Sequence, residues 1–236
     1  MALPVYLAMT AAEFHTSQSL TTRMAWMACH FSPYGTGLSH LPPQLPQDSA
    51  VIINDRTPFF HHDLEYITCQ IIQLLAEQPG IRCVLLDLQR PNQEAYALLA
   101  KQLSQSLPCP VGISACCADG LDCPVFLPPI PVDQPARSYL AAYRGREIWL
   151  ELSYSPTKFT ITSHGTVISP SIMIPGDGHS DQALCCHYRQ QTEKEPEFTV
   201  WRTADDLAAL TSQVSALGVT RCFGLYQELG IELQKI

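Results

Sequence analysis

Gly80-Ile81-Arg82-Cys83-Val84-Leu85-Leu86-Asp87-Leu88-Gln89-Arg90-Pro91 follows the breaker pair Pro79-Gly80 and ends at a proline. Between these punctuation marks lies an almost unbroken apolar run, the pattern of a strand covered on both faces of a parallel sheet. The run ends in the polar set Asp87, Gln89 and Arg90. Polar side chains just past the C-terminal end of a parallel strand are where α/β folds gather their binding and reactive groups.

Helices flank this strand. His61 to Gln78 carries Leu64, Ile67, Ile71, Leu74 and Leu75 on one face and stops at Pro79-Gly80. Gln93 to Leu107 follows Asn92 as a cap and spaces Tyr96, Leu99, Leu103 and Leu107 helically. Ala204 to Leu217 opens with Thr203-x-x-Asp206, a variant capping box, and closes on Gly218. A shorter helix is predicted over Gln134–Tyr143, capped by Asp133 with Pro135 in its first turn.

Short apolar runs alternate with these helices: Val5–Met9, Ala25–Phe31, Ala50–Asn54, Cys83–Leu88, Pro110–Ser114, Pro124–Leu127, Ile148–Leu152 and Cys222–Tyr226. Residues 50 to 114 spell strand, helix, strand, helix, strand, which needs right-handed parallel crossovers. Polar residues follow several of the strands. The pattern predicts an α/β fold, a TIM-barrel-like (β/α)8 domain over 1–236. Its helix ring is lean or incomplete, since the link Ser32–Ser49 is rich in Pro and Gly rather than helical. Residues 153–202 break the alternation and read as an inserted β-hairpin region. Lys158–Thr162 and Thr166–Ser169 flank a turn at Ser163-His164-Gly165, and Leu184–Arg189 and Phe198–Trp201 flank Glu193-Lys194-Glu195. Ile174–Gln182, with Pro175-Gly176-Asp177-Gly178, reads as a loop. The seventh barrel strand is either 148–152 or 184–189.

The chain of 236 residues is 46% hydrophobic and carries a formal charge of −8, which excludes a disordered polymer and argues against nucleic acid or an anionic membrane as partner. No apolar segment approaches the ~20 residues that cross a bilayer. Met1 to Phe14 lacks a basic start and a long apolar core. The ten cysteines sit largely in strand or helix patterns, where a thiol acts as a small hydrophobe, so a reduced, cytoplasmic protein is expected. No cofactor is expected: Gly35-Thr36-Gly37 lacks the third glycine of a dinucleotide fingerprint, and no Gly-x-Ser-x-Gly elbow occurs. No metal is expected either. His61 and His62 are adjacent on a helix start and diverge, and Cys109, Cys116, Cys117 and Cys123 lack Cys-x-x-Cys spacing.

The order strand, helix, then Gly80-x-x-x-x-x-x-Asp87-x-Gln89-x-Pro91 resembles the centre of family-18 glycoside hydrolases, chitinase-type barrels also found in spore-wall and peptidoglycan-associated proteins. Their fourth strand carries D-x-x-D-x-D-x-E, often followed by an aromatic residue and Pro. The Glu protonates the leaving glycosidic oxygen, and the neighbouring Asp orients the substrate's N-acetyl group, which acts as nucleophile. The resemblance places the last Asp on Asp87, the Pro on Pro91 and the Glu on Gln89. The two earlier Asp positions fall on Arg82 and Leu85. Gln donates a hydrogen bond but yields no proton at neutral pH. The resemblance therefore implies a small-molecule or oligosaccharide ligand, a disabled standard mechanism, and a spore-associated location as an alternative to the plain cytoplasm.

On a barrel the strand ends converge at the C-terminal face. The candidate acids there are Asp87, Glu13, Glu151 and Glu228, which support acid–base work if burial separates their pKa values. Candidate ligand contacts are Gln89, Arg90, Asn54, Asp55, Arg56, His30, Ser114, Tyr226 and Gln227. Tyr34, in the loop past the second strand, is a candidate aromatic platform, whereas Trp149 reads as core or barrel wall. The plainer alternative is that Asp87 pairs with Arg56 or Arg90 and only closes the barrel top. Three functions stay open: a binding barrel, a hydrolase using another carboxylate, and an interaction scaffold whose hairpin region makes the contacts. Sequence does not address the oligomeric state.

Overall fold

The computed structural model describes residues 3–16, 23–33, 37–58, 61–90, 94–171, 176–190 and 196–230. Eight parallel strands close on themselves: β1 (Val5–Met9), β2 (Arg23–Phe31), β3 (Ser49–Asn54), β4 (Ile81–Asp87), β5 (Val111–Ser114), β6 (Val125–Leu127), β7 (Ile148–Leu152) and β8 (Val219–Leu225). β8 pairs with both β7 and β1, and β1 pairs with β2, so no barrel edge is left open. Every apolar run read as a barrel strand is one. The seventh strand is Ile148–Leu152.

Period-two alternation sorts the strand residues into two cores. Val84, Leu86, Ile53 and Leu150 point outward under the helices. Tyr6, Ala8, Ala50, Ile52, Cys83, Leu85, Phe126, Trp149 and Phe223 fill the barrel lumen. Trp149 is fully buried there, tilted against Phe223 with ring centres 5.6 Å apart. Its bulk demands a neighbour without a side chain: a Cβ on Gly112 would sit 2.3 Å from the indole.

The helix ring is lean. It consists of α1 (Ala11–Thr16), α2 (Leu64–Glu77), α3 (Glu94–Ser106), α4 (Ala136–Leu140), α5 (Ala204–Ala216) and α6 (Tyr226–Leu229). A 3₁₀ turn, Ala115–Cys117, stands after β5, and between β2 and β3 the described chain makes only the short strand Leu38–Ser39. Thr203 and Asp206 form the expected reciprocal capping box on α5, and Gly218 takes φ +100° just beyond its end. Asp133 is not a cap. Gln134 N bonds back to Pro131 O, so Asp133 lies inside a turn and α4 starts from Pro135. The expected Asn92 cap lies outside the described residues.

The insertion after β7 is one five-stranded antiparallel sheet rather than two separate hairpins. Thr157–Thr162 pairs with Gly165–Pro170 on one side and Glu197–Trp201 on the other; Cys186–Gln190 and His179–Asp181 complete it. His179–Asp181 was expected as loop but finds a partner strand in Cys186–Tyr188. The predicted strand Leu184–Arg189 begins late, because Asp181 Oδ1 accepts from Ala183 N and Leu184 N and Cys185 turns through φ +48°. Ile161, Val167, Ile168 and Tyr188 of this sheet are large, exposed apolar side chains. His187 Nδ1 meets Asp206 Oδ2 at 2.8 Å, tying the sheet to α5.

Candidate active site

Counting in twos up the lumen leads to the site. On β4 the inward series Cys83, Leu85 ends at Asp87; on β7 Trp149 is followed inward by Glu151; on β3 Ile52 is followed by Asn54. The apolar layers thus end in a ring of polar groups at the C-terminal face. Asp87, Glu151 and Asn54 line a shallow cavity of about 80 Å³ with Met27, Phe126, Phe223 and Leu225 around them.

Both carboxyls are perturbed. Burial raises Asp87 above its usual range; hydrogen bonds from Gln89 and Ser114 counter this, and the charge of Asp55 adds to it. Glu151 is pushed up from 4.5 to about 7, first by burial and then by the like charges of Asp87 and Glu228. A group tuned to that value exchanges a proton readily at neutral pH.

The segment after β4 is held in place by the ends of its two neighbouring strands, β3 and β5. Asp55, only 4% exposed, accepts from Gln89 N and Arg90 N, both at 3.0 Å. Ser114 Oγ accepts from Leu88 N at 2.9 Å and lies 3.3 Å from Asp87 Oδ1, to which it donates. Gln89 is exposed at the mouth, and its Nε2 donates to Asp87 Oδ1 at 2.8 Å. Asp87 is therefore bonded to Gln89 and Ser114 rather than paired with Arg56 or Arg90. Both arginines are exposed near the rim.

Other candidates have local duties. Glu13 Oε2 accepts from Thr10 N and Thr10 Oγ1, each at 2.8 Å, which makes it a cap for α1 outside the cavity lining. Glu228 spends both oxygens on the loop after β7: Oε2 accepts from Tyr154 N at 2.8 Å and Ser153 Oγ at 3.0 Å, and Oε1 from Ser155 Oγ at 2.9 Å. Its charge also helps raise Glu151. Asn54 Nδ2 donates to Met27 O and Cys29 O, bracing the top of β2, while its Oδ1 accepts from Arg56 N. His30 stacks on His40 at 4.9 Å and is not among the residues lining the cavity, and Tyr226 packs against the outer core. Gln227 is exposed. Tyr34 and Pro91 lie outside the described residues. The apolar wall of Met27, Phe126, Phe223 and Leu225 escaped the sequence reading, although its signal, inward parity on each strand, was present.

No family model matches the chain, and no curated protein matches it in sequence. Solved structures do match in fold. The spore cortex-lytic enzyme SleL of Bacillus cereus superposes with TM-score 0.61 at 10% identity, covering 94% of this chain and 70% of SleL. A family-18 chitinase from Cycas revoluta, solved with (GlcNAc)3, gives 0.61 at 11% identity over 99% of this chain and 98% of its own. A chitinase-like agglutinin from Robinia pseudoacacia gives 0.57 at 10% identity, covering 93% of each chain. In fold, this chain is a TIM barrel similar to those of the SleL and family-18 chitinase structures, with a β-sheet inserted between its last two strands.

Proposed function

We propose that the barrel mouth binds an oligosaccharide of the N-acetylglucosamine type and that the acid catalysis of the family route is lost. The observation that carries this reading is Gln89. It stands at the mouth beside Asp87, 2.8 Å from its carboxylate, and the sequence resemblance aligns it with the proton-donating Glu of that route. An amide there orients a sugar hydroxyl or carbonyl and donates no proton. The fold itself accommodates both outcomes, since it is shared by a chitinase solved with (GlcNAc)3 and by a chitinase-like agglutinin. The ten cysteines are all unpaired thiols, which supports a reducing compartment.

The test is a thermal-shift series with chito-oligosaccharides and muropeptide-type glycans. A ligand that binds only the native state raises the melting temperature by mass action, about 2.7 kcal/mol at a hundredfold excess over Kd. No shift with any member of the series refutes the reading. Gln89→Glu should leave affinity largely intact.

A second reading is favoured by one specific observation: Glu151, in the same cavity, is pushed up to about 7. An acid so tuned donates a proton at neutral pH. Under this reading the wild type cleaves an aryl N-acetylglucosaminide with an alkaline limb near neutrality, and both Glu151→Gln and Asp87→Ala abolish turnover. Absence of turnover in the wild type leaves the binding barrel.

A further inference from the structure

Two adjacent thiols hold the segment that carries Gln89. Cys116 Sγ donates to Leu88 O at 3.2 Å, and Cys117 Sγ donates to Arg90 O at 3.3 Å. These carbonyls flank Gln89 on either side. Adjacent side chains diverge in a helix or strand, but in the 3₁₀ turn after β5 the two sulfurs converge to 3.7 Å. That is van der Waals contact, and a bond of about 2.05 Å needs an approach of roughly 1.7 Å shared between two side chains. Cys116 is exposed to reagents, whereas Cys117 is buried behind it.

We propose that Cys116 and Cys117 form a dithiol modification site, which a small-molecule disulfide converts into a vicinal disulfide that frees the carbonyls of Leu88 and Arg90 and loosens the Gln89 segment. The Cys116 thiolate attacks one sulfur of the small disulfide, whose other half leaves as a thiolate and takes up a proton. Cys117 then loses its proton to solvent, attacks Cys116 Sγ and expels the second small thiol. Two protein thiols are oxidised and one small disulfide is reduced to two thiols. Burial and the adjoining Cys116 push the Cys117 thiol up to about 12, so the second step is slow at neutral pH and quickens as pH rises. Neither sulfur of the product carries a hydrogen, so both donor bonds to the segment are lost together. The bonds from Leu88 N to Ser114 and from Gln89 N and Arg90 N to Asp55 remain. The expected effect is therefore loosening rather than unfolding. It rests on the hydrogen bonding of the segment and is independent of any sugar ligand.

The test treats the intact protein with oxidised glutathione at pH 8.5, alkylates the remaining thiols, maps the peptides, and follows amide hydrogen exchange at Leu88–Arg90. A Cys116–Cys117 disulfide, with exchange at these amides rising about tenfold and returning on reduction, supports the proposal. The C116S variant should show neither change. Cys116 stopping as a glutathione adduct while Cys117 stays alkylatable overturns it. So does a disulfide that leaves exchange unaltered.

Discussion

Replacing Glu151 with Gln should stabilise this protein, and only above a definite pH. In the folded chain Glu151 holds its proton up to about 7, against an ordinary 4.5. Between those values the native state carries more protons than the unfolded one, so wild-type stability falls as pH rises through the window and levels off above it. Gln never ionises and removes that slope. At ~1.36 kcal/mol per pKa unit the full effect would be about 3.4 kcal/mol, and partial solvent contact at the mouth reduces this to about 1–2 kcal/mol. For a chain of this size each kcal/mol moves Tm by roughly 2–4 °C. Thermal melts of wild type and Glu151→Gln from pH 4 to 8.5 should coincide below pH 4.5 and separate by about 2–8 °C at pH 8, with the variant higher. A pH-independent offset, or a variant less stable at pH 8, refutes the assignment of a buried carboxylate facing like charges at this position.

Ser114→Ala leaves Leu88 N without its acceptor and removes a donor from Asp87, for a cost of about 1–3 kcal/mol in urea unfolding. Glu228→Ala frees the backbone and hydroxyls of 153–155, so amide exchange at Tyr154 should accelerate, and the alkaline loss of stability attributed to Glu151 should shrink with the departing charge. Gly112→Ala drives a methyl into the Trp149 ring and should cost at least 1–3 kcal/mol, read as a lowered denaturant midpoint with unchanged slope.

Much of the barrel was legible because its strands are short apolar runs of fixed parity bounded by breakers. Ile81–Asp87 and its helices could hardly pack another way once each buried face needed a cover. The site was legible only in part. Asp87, Asn54 and Glu151 were placed correctly at strand ends, since parity and the C-terminal-face rule are local properties. Glu13 and Glu228 stood at equally plausible strand ends, yet they are consumed by Thr10 and by the 153–155 loop. That choice depends on which backbone amides happen to lie nearby.

The sequence by itself determined the alternation of strand and helix, the inward parity that carries Asp87 to the mouth, and the amide at position 89. These follow from residue type and spacing along the chain. Tertiary structure alone decided that the two predicted hairpins merge into one sheet through Thr157–Thr162 and Glu197–Trp201. It also decided that Asp55 and Ser114 anchor the segment after β4, and that burial beside Asp87 lifts Glu151 toward neutrality. Pairing, desolvation and charge proximity join residues tens of positions apart, and closure of the barrel is what sets those distances.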